Sequence, residues 1–379
     1  MAEPSSQDCY VALELSRAKW LVGALLPGRS KVTTTVVPGG DTAALLDALG
    51  RFAARAGRET GQAVAAVRVC FEAGYDGFWL ARFLFARGIE THVLDPASFL
   101  VSRRGRRAKT DRIDVEAMAF TLRAFLLGDR GVCREVVIPS PEQEDAKRLS
   151  RERTQLAAEK TRHTNRIRGL LALHGIREVS GLWGGEWAEA LGGLRTGDGR
   201  ELGGYLRAEI AREFERLHLV LRHMRALDAD RQAALTQEAC AFPHRHKAGV
   251  LVKLAGVGPI TATALVAEVF HRRFQSRRHL ASYLGLAPTP YASGESERDQ
   301  GISKAGNQPA RSLLVELAWG WLRHQPGSGL AAWYRRTFAE RGQRGRKVGI
   351  VALARKLAIA LWRFVETGVV PEGAVLSAR

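Results

Sequence analysis

"YVALELSRAKWLVGALLPGRSKVTTTVVPGG", residues 10–40, decides the fold class. Three runs rich in Val, Leu and Thr are separated by a short turn at Ser16 to Lys19 and by Pro27-Gly28, and the third stops at Pro38-Gly39-Gly40. β-Branched runs bounded by Gly and Pro read as strands, and connections this short make an antiparallel meander. The period then changes. "DTAALLDALGRFAARAG" (41–57) has helical apolar spacing, with Asp41 as N-cap and Gly57 as stop. "AVAAVRVCFE" (63–72) is a buried-strand run, "DGFWLARFLFARG" (76–88) an amphipathic helix, "IETHVLDP" (89–96) a further strand and "DRIDVEAMAFTLRAFLLG" (111–128) a helix. Three strands, helix, strand, helix, strand, helix predict an α/β layered domain with a mixed sheet over residues 8–130.

From Pro141 the character changes. Ala146, Leu149, Leu156, Ile167 and Leu170 fall on a seam interrupted by Arg153, Lys160 and His163, and a second seam runs through Ile210, Phe214, Leu217, Leu221 and Met224. Two long helices with Gly- and Trp-rich material between them predict a helical, coiled-coil arm over 141–240. Its outer face, with Arg151, Arg162 and Arg166 among others, reads either as a backbone-contact surface or as a solvated helix face. Residues 242–370 read as an all-helical domain, so the fold class is α/β plus all-α.

Composition sets the partner class. The 57 Lys and Arg outnumber the 39 Asp and Glu, giving a formal charge of +18. An excess of that size points to a polyanion, nucleic acid first. No apolar stretch reaches the ~18 residues that a membrane span needs, so no membrane partner is expected. The N-terminus shows no secretory signal. Four scattered cysteines (Cys9, Cys70, Cys133, Cys240) form no CxxC, which argues against a zinc site or disulfide framework and fits a reducing cytoplasm.

The acids carry the chemistry. Glu14 sits inside an apolar strand run, where a charge is costly unless paired or metal-bound. Glu72 ends another strand, and Asp111 and Asp114 share one helix face at i and i+3. Carboxylates gathered from strand ends and a helix face suit Mg²⁺, which prefers oxygen ligands and phosphate company. Read singly, Glu72 could cap the turn after it, and the two aspartates could complement their helix N-terminus. Immediately upstream, Arg103, Arg104, Arg106, Arg107 and Lys109 form a basic loop suited to backbone phosphates.

Three further segments stand out. Gly256 and Gly258 precede a helix in "LAGVGPITATALVAE" (254–268), which reads as a helix-hairpin-helix phosphate grip or as a tight turn with Pro at the helix start. A long polar segment between apolar helices holds Ser293, with Lys304 and Arg311 downstream. A lone hydroxyl is a poor nucleophile without activation, and an ST-turn or cap is the plainer role for Ser293.

"FEAGYDGFWLARFLFARGIETHVLDP" (71–96) with "KTDRIDVEAMA" (109–119) resembles the N-terminal half of the DEDD-type insertion-sequence transposases. "LAGVGPITATALVAEV" (254–269), "RFQSRRHLASYLGLAPTPYASGE" (273–295) and "GISKAGNQPARSLL" (301–314) resemble their C-terminal transposase module. This family comprises bridge-RNA-guided, serine-bearing recombinases of bacterial insertion elements. The resemblance implies a ribonuclease-H-like, RuvC-like N-terminal domain whose tetrad Glu14, Glu72, Asp111 and Asp114 binds Mg²⁺. It also implies Ser293 as the nucleophile that links covalently to DNA, a structured guide RNA pairing with donor and target DNA, and a homo-oligomer, dimer or tetramer, assembled through the helical arm. In a bacterium such a protein is cytoplasmic and nucleoid-associated. One departure is visible: the first acid is normally Asp, and here it is Glu14.

The reading is therefore a DNA transposase and recombinase. Two rivals remain at this level: a metal-dependent, structure-selective nuclease without serine chemistry, and a non-catalytic nucleic-acid-binding protein.

Overall fold

The computed structural model describes residues 5–74, 77–99, 110–178, 182–236, 242–293 and 296–377, excepting the side chains of residues 97 and 290–300. The basic loop Arg103, Arg104, Arg106, Arg107 and Lys109 lies outside the described residues. The chain forms two compact units, Met1–Pro139 and Ser140–Arg379.

The first unit contains β1 (Cys9–Leu15), β2 (Lys19–Leu25), β3 (Thr33–Pro38), α1 (Thr42–Thr60), β4 (Val67–Glu72), α2 (Trp79–Phe85), β5 (Glu90–Leu94) and α3 (Asp111–Leu126). Among the described residues these strands form one five-stranded sheet in the order β3-β2-β1-β4-β5. β1 to β3 are antiparallel, whereas β4 and β5 run parallel to β1. A mixed α/β unit with this sheet is consistent with a ribonuclease-H-like domain. Asp41 caps α1 by accepting from Ala44 N at 2.9 Å. The helix runs through Gly57 and ends at Gly61, correcting the expected stop, because Gly61 is the residue that turns left-handed at φ 70°.

β1 is central, and both of its faces are covered. Val11, Leu13, Val22, Val69 and Phe71 pack with Leu45, Leu49 and Phe52 of α1 and Leu80 and Leu84 of α2. Tyr10, Ala12, Leu25 and Cys70 pack with Val115, Met118, Ala119 and Leu122 of α3. This double burial explains why the run reads as nearly continuous apolar sequence. α3 sits close because Gly23 has no side chain: a Cβ there would lie 2.1 Å from Val115 Cγ1.

At the N-terminal edge of the sheet lies a buried charge cluster. Arg68 and Asp8 are each 1% exposed, and Arg68 Nε donates to Asp8 Oδ2 at 2.7 Å. Arg68 also pairs with Glu90, which in turn meets His92 Nε2 at 3.1 Å.

The second unit contains α4 (Pro141–Ala146), α5 (Arg148–Ala172), α6 (Trp187–Gly192), α7 (Gly204–Thr236), α8 (Arg245–Leu251), α9 (Pro259–Leu265) and α10 (Arg277–Tyr283). These are followed by β6 (Pro288–Ser293), β7 (Ser296–Ile302), α11 (Gln308–His324), α12 (Gly329–Phe338) and α13 (Gln343–Thr367). α9 continues into a π-helical turn, Val266–Phe270. α5 and α7 run antiparallel, since early residues of one meet late residues of the other. Arg153 pairs with Asp228 at 2.8 Å, His163 with Glu213 at 2.6 Å and Arg166 with Glu209 at 2.6 Å. Leu156 packs with Val220 and Leu227, and Ile167 and Leu171 with Ile210 and Phe214. The polar interruptions Arg153 and His163 are thus ion-pair positions between the helices. Helices α8 to α13 enclose a separate core around Leu265, Leu314, Trp321, Leu353 and Leu357.

The expectation of an all-helical C-terminal domain is corrected by β6 and β7, an antiparallel hairpin pairing Ser293 with Ser296. Pro288 and Pro290 exclude a helix there, because each fixes φ and lacks the N–H donor that a helix interior uses.

Removing Arg68 leaves the buried Asp8 and the half-buried Glu90 without their cation. Arg68→Ala is expected to cost about 3–5 kcal/mol in urea denaturation, the scale for breaking a buried ion pair from one side. A loss below about 1 kcal/mol would show that the cluster contributes little.

Candidate active site

Leu13 and Phe71 are partners across the parallel β1–β4 pair, so the residues that follow them, Glu14 and Glu72, stand side by side at the C-terminal ends of the strands. Parallel strands lie about 4.8 Å apart, which brings the two carboxylates within reach of one ion. Both are half-buried and line one cavity of about 100 Å³ with Gly74 and Gly77. Strand alternation puts Glu14 on the face of Tyr10 and Ala12, and Glu72 on the face of Cys70, the side covered by α3.

α3 begins at the Thr110 N-cap, whose hydroxyl accepts from Ile113 N at 3.3 Å. Asp111 and Asp114 occupy its first turn. Asp114 is half-buried beside Val115, whereas Asp111 is exposed. Among the described residues, no three Asp, Glu, His or Cys side chains converge closely enough to hold a metal ion. The fold thus joins Glu14 to Glu72 and starts α3 with the two aspartates, without closing all four into one ligand cluster.

The donor set fits a hard divalent cation. Mg²⁺ commonly takes one or two carboxylates and completes its octahedron with water and substrate phosphates. Glu14 and Glu72 are one such pair that could hold the ion, with oxygen donors only. Asp8 has a different place: it sits at the other end of β1, about 20 Å from Glu14 along an extended strand, and is held by Arg68.

Ser293 is the last residue of β6, opposite Ser296, in the second unit. The stem of this hairpin is fastened by main-chain bonds, Ser303 N to Ala287 O at 2.9 Å and Lys304 N to Gly285 O at 3.1 Å. Lys304 is exposed and adopts φ 57°. Arg311 is half-buried, and its Nη1 donates to Leu284 O at 3.1 Å and Lys304 O at 3.0 Å, tying the stem to α11. Gly258 is the N-cap of α9. Gly256 turns left-handed at φ 85°, and a Cβ there would lie 2.6 Å from that of His324. That close approach accounts for the glycine directly.

Sequence reasoning missed Glu268. It is 2% exposed on the π-helical turn. Its carboxylate accepts from Arg151 Nε and Asn307 Nδ2, both at 3.1 Å, and its carbonyl accepts from the Tyr283 hydroxyl at 2.8 Å. The available signal was the one used for Glu14, a lone acid inside an apolar run, here "TATALVAEVF".

Both units find relatives. A DEDD-type IS110 transposase family model matches residues 40–176, and one described as transposase IS116/IS110/IS902 family matches residues 248–333. The chain is 44% identical over 374 residues to "Putative transposase y4rJ" of Sinorhizobium fredii, covering 97% of this chain and 94% of that one. It is 29% identical over 296 residues to the transposase for insertion sequence element IS1111A of Coxiella burnetii, covering 75% of this chain and 73% of the relative. Among the described residues no helix is long and apolar enough to cross a membrane. Matched in both halves and along nearly its whole length, the chain belongs to the IS110 family of insertion-sequence transposases, enzymes that cut and rejoin DNA.

Proposed function

We propose that this transposase moves its element by serine chemistry supported by a Mg²⁺-binding acidic site, with target choice read by a guide RNA. The observation that carries the acidic site is the pairing of Glu14 and Glu72 on adjacent parallel strands in one cavity. The DEDD family implies a divalent-metal-dependent nuclease fold. When bound, such an ion supplies positive charge to a phosphodiester whose negative charge grows during displacement. Glu14 and Glu72 would hold it, with Asp114 and Asp111 presented from α3. Glu14 in place of the usual Asp reaches one methylene further from the same backbone position.

Ser293 performs the covalent step. Its oxygen forms a bond to phosphorus while one P–O bond of the strand breaks. The hydroxyl proton is given up and the departing strand oxygen gains one. Reversal by another strand end restores the serine and rejoins DNA without net oxidation or hydrolysis. The position of Ser293 at the last residue of a hairpin strand, within the segment that resembles the family's C-terminal module, supports this role. Lys304, Gly256, Gly258 and the basic loop 103–109 would contribute phosphate contacts. Arg311 would act chiefly by holding the hairpin stem.

The guide RNA follows from the family resemblance. Recognition by base pairing needs a basic chain that grips backbones rather than a dedicated base-reading element, and a charge of +18 supplies one. Residues 141–240 would form the assembly arm, and 242–370 the serine-bearing module, of a dimer or tetramer. Exposed Leu173 and Tyr205, 81% and 97% accessible near the adjoining ends of α5 and α7, support a contact between copies there.

Three outcomes follow. Protein, Mg²⁺, element-end DNA and the flanking transcript, denatured after reaction, should yield a protein–DNA adduct that is lost in Ser293→Ala and in Asp114→Ala. Cleaved DNA without an adduct, unaffected by Ser293→Ala, would assign the chemistry to the acidic site alone. Glu72→Gln should lower cleavage by about 100-fold or more, the scale for losing a charge-stabilising group, with DNA affinity retained; undiminished cleavage would exclude Glu72 from the site. Raising salt from about 50 to about 200 mM should weaken DNA binding by at least about 100-fold. A flat response would remove the basic residues as phosphate contacts.

A further inference from the structure

A larger cavity, about 770 Å³, lies wholly within the second unit among α5, α7, α9 and α11. Its volume falls in the range of small-molecule sites, about 300–1,000 Å³. Its apolar lining comes from Ile260 and Ala264 of α9 and Leu313 and Leu317 of α11. Arginines 151, 153 and 231 line it from α5 and α7, and Gln308, Ser312, Glu316 and His324 line it from α11.

Arg231 is the telling residue. It is 2% exposed, its Nη2 donates to Leu149 O, and among the described residues its Nε has no hydrogen-bond partner. The nearby carboxylate, Asp228, is engaged by Arg153 at 2.8 Å. Burial, reinforced by the Arg153 charge, pushes the Arg231 pKa down to about 10. A buried guanidinium in this state is stabilised by an anion. Glu268 cannot serve, because Arg151 and Asn307 already hold its carboxylate. The π-helical turn that carries Glu268 is an irregularity often found at functional sites.

We propose that this cleft binds one unpaired nucleotide of a nucleic-acid strand, with its phosphate at Arg231 and Arg153 and its base against the apolar lining from α9 and α11. A nucleotide is anionic at one end, flat and apolar on its faces, and polar along its base edges, and the cleft offers each complement in turn. Guanidinium and imidazole planes, here Arg151 and His324, are surfaces on which unstacked bases commonly rest. Binding in the cleft does not require serine chemistry. Its bearing on strand cutting does rest on the function proposed above, because Asn307 and Gln308 join the cleft wall to the stem of the Ser293 hairpin.

Gly320 provides the test. It lines the cleft from within α11, and a Cβ built on it meets nothing within 4 Å. Gly320→Leu therefore adds side-chain bulk to the cleft wall from a position with room for a Cβ, and improves helix propensity. Full-length protein is titrated with labelled single-stranded DNA and, separately, single-stranded RNA, each carrying 5-iodouracil for photocrosslinking. Crosslinks are expected in residues 256–268 or 308–324. Gly320→Leu should weaken single-strand affinity about 10-fold, the scale of one lost stacked base, with unchanged Tm and unchanged duplex binding. Whichever strand, DNA or RNA, binds more tightly identifies the source of the nucleotide. Unchanged single-strand affinity with crosslinks confined to other segments would overturn the proposal. A changed oligomeric state in Gly320→Leu without any loss of oligonucleotide affinity would overturn it as well, by showing that the cleft receives a second copy of the chain. If Gly320→Leu lowers Tm, the wild-type crosslinks decide alone.

Discussion

The first unit depends on the packing of α3 against the central strand pair. β1 is buried on both faces, so every apolar side chain it carries is used by one helical layer or the other. Gly23 lets α3 approach β2 to contact distance. Parallel registration with β4 then sets Glu14 next to Glu72 where the apolar run ends. The site is a consequence of that packing: shift β1 by one residue, and Glu14 moves to the face of α1 and α2. Burial at about 25 cal/mol per Å² over so many large side chains outweighs the cost of leaving two carboxylates half-buried at the rim.

Three acids sit within or beside apolar runs, and the chain treats each differently. Asp8 is paired with the buried Arg68 at the opposite end of β1. Glu268 is held by an arginine and an asparagine, which fixes its carboxylate at the wall of a large cleft. Glu14 stands beside a second carboxylate, Glu72, and both line one cavity at the strand ends. The same sequence signal thus leads to a structural ion pair, a positioned wall residue and a candidate metal site. Only the surrounding strands and helices distinguish them.

That distinction marks how much could be read from the chain alone. The strand and helix order of the first unit was legible because β-branched runs alternate with helical periods between Gly and Pro. Glu14 was visible as an acid in an apolar strand, but its neighbour Glu72 lies 58 positions away, and only parallel pairing brings them together. In the second unit the polar segment read as a loop between apolar helices, and the hairpin went unread because its strands are polar and show no apolar alternation. Arg153 and His163 read as defects in a seam, since their partners Asp228 and Glu213 come from a helix 50 or more residues later. Arg231 gave no sequence signal at all; its burial follows from how α7 packs.

The proposal that Glu14 and Glu72 hold one cation, with the aspartates of α3 presented toward it, is tested most directly by iron-directed cleavage. Fe²⁺ replaces Mg²⁺ in the intact protein, and ascorbate with peroxide then generates radicals that cut the backbone beside the bound ion. The account predicts cuts clustered near residues 14, 72 and 111–114, suppressed by excess Mg²⁺ and absent in Glu72→Gln. Cuts confined to other segments, or a pattern indifferent to both Mg²⁺ and Glu72→Gln, would contradict it.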